Sequence, residues 1–318
     1  MSAERSMVAG IASAPPASRA QRDLLTWARQ ALAGREGADP AQEARILMEW
    51  ALDCENLWVA PATLAVSRKA RFIDAVQRRC CGEPLQHIIG RMWFRGLTLR
   101  CWPEVFVVRP ETESVAGVAI EEGQRLAAER RISGAGADDG GEGAGEGGPF
   151  IVDLCTGSGA IAVAAAVEVP GARVIGVEKD SVAVELARAN VQDVAPGRVT
   201  IIDGDATDRN TLALCEGAVD IVVANPPYIP DREPVTQVEA LHDPLAALYG
   251  GGEDGMVVPR GILTIARYLL RPGGLVVVEH ATSQAREMRL EAEDRGFIEI
   301  ATRADLTGRD RMLVARQP

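Results

Sequence analysis

The chain has 318 residues, 47% hydrophobic and 25% charged, a balance that suits a folded globular protein and excludes a disordered or fibrous one. No apolar run approaches the roughly 18 to 20 residues that span a bilayer, and the Ala-rich stretch at 7–17 lacks an apolar signal core, so a cytoplasmic location without membrane attachment is expected. The net charge of −11 is uneven: residues 1–100 hold fourteen Lys and Arg against ten Asp and Glu, which leaves twenty against thirty-five in 101–318. An acidic body repels phosphate backbones, so stable nucleic-acid binding is not expected and a protein partner fits better.

Residues 1–20, rich in Ala, Ser and Pro, read as a flexible tail. From Gln21 apolar residues recur at helical spacing: Leu24, Leu25, Trp27 and Ala28, then Ala44, Ile46, Leu47, Trp50 and Ala51. Pro61-Ala62-Thr63 reads as a further helix start before Phe72, Ile73 and Val76. Residues 21–83 are thus expected to form a small helical domain that recognises substrate. Residues 84–108 read as a linker containing a hairpin, with Met92-Trp93-Phe94 and Leu97-Thr98-Leu99 on either side of Arg95-Gly96. Residues 109–318 form the catalytic domain, beginning with a helix from Thr112 to Arg131 and interrupted by a Gly-rich, acidic insertion at 133–149 that reads as a flexible surface segment.

After Pro149 strands and helices alternate. Strands are expected at Phe150–Val152, Arg173–Val177, Val199–Ile202, Ile221–Val223 and Gly274–Val278, with helices at Ala160–Val169, Ser181–Val191 and Gly261–Leu270. A terminal hairpin, Phe297–Ala301 with Arg311–Ala315, turns around Gly308. Alternation of this kind predicts a doubly covered parallel sheet of the α/β, Rossmann-like class. The six cysteines (Cys54, Cys80, Cys81, Cys101, Cys155, Cys215) show no C-x-x-C spacing and the three histidines are dispersed, so reduced thiols and no metal site are expected.

The run IVDLCTGSGAIA places Asp153 at a strand end, then Gly157 and Gly159 in a tight turn before a helix. Glycines admit a ligand close to the backbone, and the N–H groups opening a helix favour polar or anionic groups. Glu178 ends the next strand, where a carboxylate can take both hydroxyls of a ribose, and Asp205 follows the third, placed to take an adenine amine. Alone, the Gly-rich turn would suit a nicotinamide dinucleotide equally well.

Asn225-Pro226-Pro227-Tyr228 follows the fourth strand. An amide nitrogen is a poor nucleophile because its lone pair is delocalised, so a site that methylates it must hold it in line with the methyl donor. The Asn225 side-chain oxygen and the Pro226 carbonyl can each accept one N–H of a substrate NH2 group. The two prolines fix the backbone without adding donors, and Tyr228 can pack on the planar group and exclude water.

At this point the chain resembles the PrmC/HemK family of protein-(glutamine-N5) methyltransferases that act on class I peptide chain release factors. The resemblance runs from about Leu24 to the C-terminus, on DLCTGSGAIA and NPPYIP together with GEPLQHIIGRMWFRGL, VRPETE at 108–113, DPLAALYGGGEDG at 243–255 and DLTGRDRMLVAR. It implies a seven-stranded S-adenosylmethionine-dependent methyltransferase sheet, a helical N-terminal domain, and the glutamine of a Gly-Gly-Gln loop as acceptor in translation termination. Its cofactor positions fall on Thr156, Gly157, Ser158, Gly159, Glu178 and Asn225, beside Asp153, Cys155 and Asp205; Asn225, Pro226, Pro227 and Tyr228 hold the glutamine. Three departures stand out: Ala206 where an aromatic residue often flanks adenine, VEHATSQ at 278–284 in place of a Glu-Ile-Gly sequence, and Val108 in place of a proline.

The enzyme is expected to be a monomer whose basic first hundred residues dock the acidic body of a release factor, with Arg78 and Arg79 contributing to the docking face. Other readings are the same chemistry on a ribosomal-protein glutamine or on a base amine, a nicotinamide-dependent oxidoreductase, and a non-catalytic scaffold.

Overall fold

A computed structural model describes residues 14–34, 39–133 and 147–318, which fall into two compact units. The expected tail up to residue 13 and most of the acidic insertion, 134–146, lie outside the described residues.

The first unit comprises the described residues up to Gly90 and a distant segment, Val235–His242. It contains α1 (Gln21–Ala31), α2 (Pro40–Leu52), α3 (Val66–Cys80) and α4 (Leu85–Ile89). Asp39 starts α2 by accepting from Ala41 N and Gln42 N, with Pro40 at the first helical position where no donor is needed. Leu24, Leu47, Phe72 and Val76 are fully buried between the helices, and Trp27 meets Phe72 edge to face with ring centroids 6.4 Å apart.

Two expectations need correction here. α3 opens at Val66, because Thr63 is held in a bridge to Ala20 and Leu64 N donates to Arg19 O, so the chain at 61–64 is extended. The same contacts, with Lys69 Nζ donating to Pro16 O at 2.7 Å, tie residues 16–20 to the domain where a loose tail was expected.

Arg79 is committed internally and does not offer a docking face, whereas Arg78 is paired but stays partly exposed. Arg79 is buried and forms a fork with Glu43 (2.9 and 2.7 Å) and an ion pair with Glu239 on the distant segment (2.5 Å). Arg78 grips Glu83 at 2.8 and 2.5 Å. Lowering the energy of a guanidinium inside a small domain requires nearby carboxylates, and Arg79 has them.

The second unit is built on a seven-stranded sheet. After the hairpin β1 (Arg91–Phe94) and β2 (Leu97–Arg100), the chain runs through α5 (Thr112–Ile132), β3 (Phe150–Leu154), α6 (Ala160–Glu168), β4 (Arg173–Glu178), α7 (Ser181–Val194), β5 (Val199–Asp203) and β6 (Val219–Ala224). It continues with α8 (Leu245–Leu248), α9 (Val257–Leu269), β7 (Leu270–Glu279), α10 (Ala285–Asp294), β8 (Ile298–Ala304) and β9 (Asp310–Arg316). Arg95 and Gly96 both take positive φ, the two-residue turn that matches strand twist, and the segment expected as a linker divides: α4 belongs to the first unit and the hairpin to the second.

The strand order is β5-β4-β3-β6-β7-β9-β8, with β3 to β7 parallel and β9 antiparallel between β7 and β8. Alternate residues of each strand face opposite layers. Ile151, Val223, Val277 and Val314 pack under α5, α6 and α7, while Val152, Val222, Val276 and Leu313 pack under α9 and α10. Burial on both faces is why these strands read as continuous apolar runs. The chain steps outward from β3 in one direction to β4 and β5, then returns to β6 on the other side. That reversal opens a crevice at the carboxyl ends of the strands, the expected place for a ligand.

Candidate active site

Four successive strand ends line one cleft in the second unit. Cys155 and Gly157 come from the turn after β3, Glu178 with Lys179 and Asp180 from the end of β4, Asp205 with Ala206 and Thr207 after β5, and Asn225 to Ile229 after β6. Of the residues singled out in the sequence, Cys155, Gly157, Glu178, Asp205, Asn225, Pro226, Pro227 and Tyr228 are brought together there. Asp153, Thr156, Ser158 and Gly159 are not on the cleft wall; they shape the turn from behind.

Asp153 is fully buried. Its Oδ2 accepts from Thr156 Oγ1 at 2.5 Å and from Ala162 N at 3.1 Å, pinning the turn to the first turn of α6, while Oδ1 has no hydrogen-bond partner. Burial pushes its carboxyl up to about 7 against the pull of those two bonds. Gly159 caps α6 at φ 81°, where a Cβ would press on Ala187 at 3.2 Å. Cys155 takes φ 60° although it has a side chain, so local backbone strain sits at the cleft. Burial also raises its thiol pKa, which keeps it a neutral lining group.

Glu178 is held by three backbone donors: Gly157 N on Oε2 at 2.9 Å, and Lys179 N and Asp180 N on Oε1 at 2.9 and 3.0 Å. Its carboxylate is therefore oriented before any ligand arrives. Above Gly157, at φ 55°, no atom lies within 4 Å of where a Cβ would stand, so a bare backbone patch faces the cleft. Asp205 Oδ1 takes both the N–H and the hydroxyl of Thr207 at 2.8 and 2.6 Å, and these bonds lower its pKa while leaving Oδ2 3.7 Å from Lys179 Nζ. An oriented carboxylate, bare backbone and a second acidic group fit a polar nucleoside that carries a positive charge.

At the fourth strand end the Asn225 amide donates from Nδ2 to Thr112 Oγ1 at 3.1 Å. Thr112 Oγ1 in turn donates to Glu279 Oε2 at 2.8 Å, and the Tyr228 hydroxyl reaches Glu279 Oε1 at 3.4 Å. The backbone here is braced by the 248–256 segment. Tyr228 N and Ile229 N both donate to Leu248 O, at 3.1 and 2.9 Å, and a Cβ on Gly250 would stand 2.7 Å from Pro227 O. Gln284, within the divergent VEHATSQ stretch, donates to Tyr228 O at 2.8 Å and to Asp254 O at 2.9 Å.

Sequence reasoning missed Val105 and Phe106, which line the cleft, and the Thr112 and Glu279 pair behind it. VRPETE and VEHATSQ contain or adjoin these residues, yet no local spacing links two groups 167 positions apart. Arg109 pairs with buried Asp243, which also accepts from Val107 N at 3.2 Å and so fixes the irregular segment carrying Phe106. Ala206 is buried on the cleft wall and offers no ring there. No helix among the described residues is long and apolar enough to cross a membrane.

Residues 23–90 match the PrmC N-terminal domain and residues 147–263 the methyltransferase small domain. A protein named release factor glutamine methyltransferase from Streptomyces coelicolor is 43% identical over 78% of this chain and 81% of its own length. Proteins of the same name from Bifidobacterium longum (36% identical, 92% of this chain and 98% of the relative) and Mycolicibacterium smegmatis (40%, 77% and 79%) match along similar spans.

Proposed function

The chain belongs to the release factor glutamine methyltransferases, and from that premise we propose that it methylates the side-chain nitrogen of a glutamine in a class I peptide chain release factor, in the Gly-Gly-Gln loop that serves translation termination. S-adenosylmethionine, bound in the cleft, would supply an electrophilic methyl group on a sulfonium sulfur. All else falls to the chain's own residues. Glu178, already oriented by three N–H groups, would accept from the ribose hydroxyls at little reorganisation cost. Asp205 would offer Oδ2 to the adenine amine, and Gly157 would let the ligand lie against backbone. Asp153, Thr156, Ser158 and Gly159 would hold the turn in shape.

The acceptor amide would be placed by Asn225 Oδ1 and the Pro226 carbonyl, each taking one N–H, so that the nitrogen lone pair faces the methyl carbon. Pro227 stiffens the loop, and Tyr228 would cover the planar group and keep water out. Once alkylated, the nitrogen is acidic enough to release its proton without a strong base. Positioning and fixed dipoles carry the catalysis.

The observation that carries this reading is the Asn225 hydrogen bond to Thr112. It turns the amide nitrogen away and leaves Oδ1 as the acceptor for the cleft. Asn225→Ala should cut kcat by about 100- to 1,000-fold, the range for losing one preorganised polar contact to a reacting group, while S-adenosylmethionine affinity by calorimetry changes far less. Near-normal turnover would remove Asn225 from the reaction, and parallel loss of affinity and turnover would make it a cofactor ligand only.

A further inference from the structure

Behind the cleft wall lies a polar chain whose far end, Glu279, the proposed reaction leaves without a task. Thr112, at the first turn of α5, stands between Asn225 (3.1 Å) and Glu279 (2.8 Å). Glu279 closes β7, is 2% exposed, and faces the Tyr228 hydroxyl as well. Arg311 on β9, itself paired with Asp305, attracts the Glu279 carboxylate, and Glu111 beside Thr112 repels it.

A threonine hydroxyl has one proton to give. When Glu279 is a carboxylate it can only accept, so the Thr112 proton must go to it. The Thr112 oxygen can then only accept from Asn225, which must turn its NH2 inward and present Oδ1 to the cleft. When Glu279 is protonated on Oε2, the oxygen 2.8 Å from Thr112 and not the one 3.4 Å from the Tyr228 hydroxyl, it donates to Thr112, the chain reverses, and Thr112 donates to Asn225 Oδ1. The Asn225 NH2 would then face the substrate NH2, donor against donor.

We propose that Glu279 and Thr112 are positioning residues that set the hydrogen-bond polarity of Asn225, so that the cleft presents an acceptor to the substrate amide only while Glu279 is ionised. The proposal rests on the reading above, in which Asn225 Oδ1 takes a substrate N–H. Burial is the main force on Glu279 and pushes its carboxyl up to about 7, against the pull of Thr112, Arg311 and Tyr228. The polarity therefore switches within the range where enzymes are assayed.

The test is the pH profile of kcat on a purified release factor at saturating S-adenosylmethionine. A group titrating at about 7 makes wild-type kcat about tenfold lower at pH 6 than at pH 8. Glu279→Gln has no proton to lose or gain, so its kcat ratio between pH 8 and pH 6 should fall to within twofold of one, whichever way its amide is turned. Thr112→Val, which breaks the relay without changing volume, should lower kcat at least tenfold at both pH values with cofactor affinity intact, and Thr112→Ser should restore most of it. Thermal unfolding supplies a readout without turnover: the midpoint of Glu279→Gln relative to wild type should rise from pH 5.5 to pH 8.5, because only wild type must ionise a buried carboxyl.

A Glu279→Gln profile that matches wild type, or full kcat in Thr112→Val, overturns the relay. If Asn225→Ala is inactive in the same assay, that result sinks the relay alone and leaves the role of Asn225 standing. Full activity of Asn225→Ala sinks both.

Discussion

Replacing Glu178 by glutamine separates the charge of this carboxylate from its shape. In the native cleft Oε1 accepts from two backbone N–H groups and Oε2 from a third, that of Gly157. A glutamine has one oxygen and one NH2, so some backbone donor must face a donor. The better orientation keeps the oxygen on Lys179 and Asp180 and sets the NH2 against Gly157 N, in the turn that lines the cleft. A ligand hydroxyl then loses a charge-assisted bond, worth about 1.5–3 kcal/mol against about 0.5–1.5 for a neutral one, and meets a turn with an unsatisfied N–H. The expected loss is about 1–3 kcal/mol, or about 5- to 160-fold in Kd for S-adenosylmethionine. Titration calorimetry at pH 8 measures it directly. A Kd within twofold of wild type would show that Glu178 does not touch the cofactor.

Gly250→Ala should lower kcat at least tenfold with a smaller effect on cofactor Kd, since the new Cβ would stand 2.0 Å from Gly255 O and 2.7 Å from Pro227 O and so displace the Asn225–Tyr228 loop; unchanged kcat would refute the bracing role. Asp153 keeps its proton to about pH 7 in the fold and to about 4 when unfolded, so the folded state binds more protons between these values and wild-type stability falls as pH rises across that window. Asp153→Asn removes this dependence, and urea unfolding at pH 5 and pH 8 should show it gaining on wild type at the higher pH; parallel shifts would contradict the assignment. Arg79→Glu places a third carboxylate beside Glu43 and Glu239 in a buried site and should destabilise by about 3–5 kcal/mol. A thermal midpoint like that of wild type would mean that Arg79 is not buried in solution.

The parallel strands were legible because each is buried on both faces and ends in a polar turn, so apolar runs such as Ile221–Val223 and their following motifs fell at the correct strand ends. The cleft residues that follow those ends were legible for the same reason. α10 was not, because AREMRLEAED buries only Ala285, Met288 and Ala292 and shows too thin an apolar stripe to stand out. The place of β9 between β7 and β8 could not be read from a hairpin pattern, which gives pairing between neighbours in sequence but no order within the sheet. Arg79 looked like a surface charge because nothing local announces Glu43, 36 residues earlier, or Glu239, 160 residues later. The hydrogen bonds from Glu279 through Thr112 to Asn225 were hidden by the same kind of separation, as was the bracing of the loop by Gln284 within VEHATSQ, 56 positions from Tyr228.

The most direct test of the central claim is transfer of labelled methyl from S-adenosylmethionine to a purified class I release factor, comparing its native Gly-Gly-Gln loop with a Gln→Ala loop and locating the label by peptide mass. The account predicts a single methyl group on the loop glutamine and none on the alanine variant. Label elsewhere in the factor, or no transfer from an enzyme that binds S-adenosylmethionine, would contradict it.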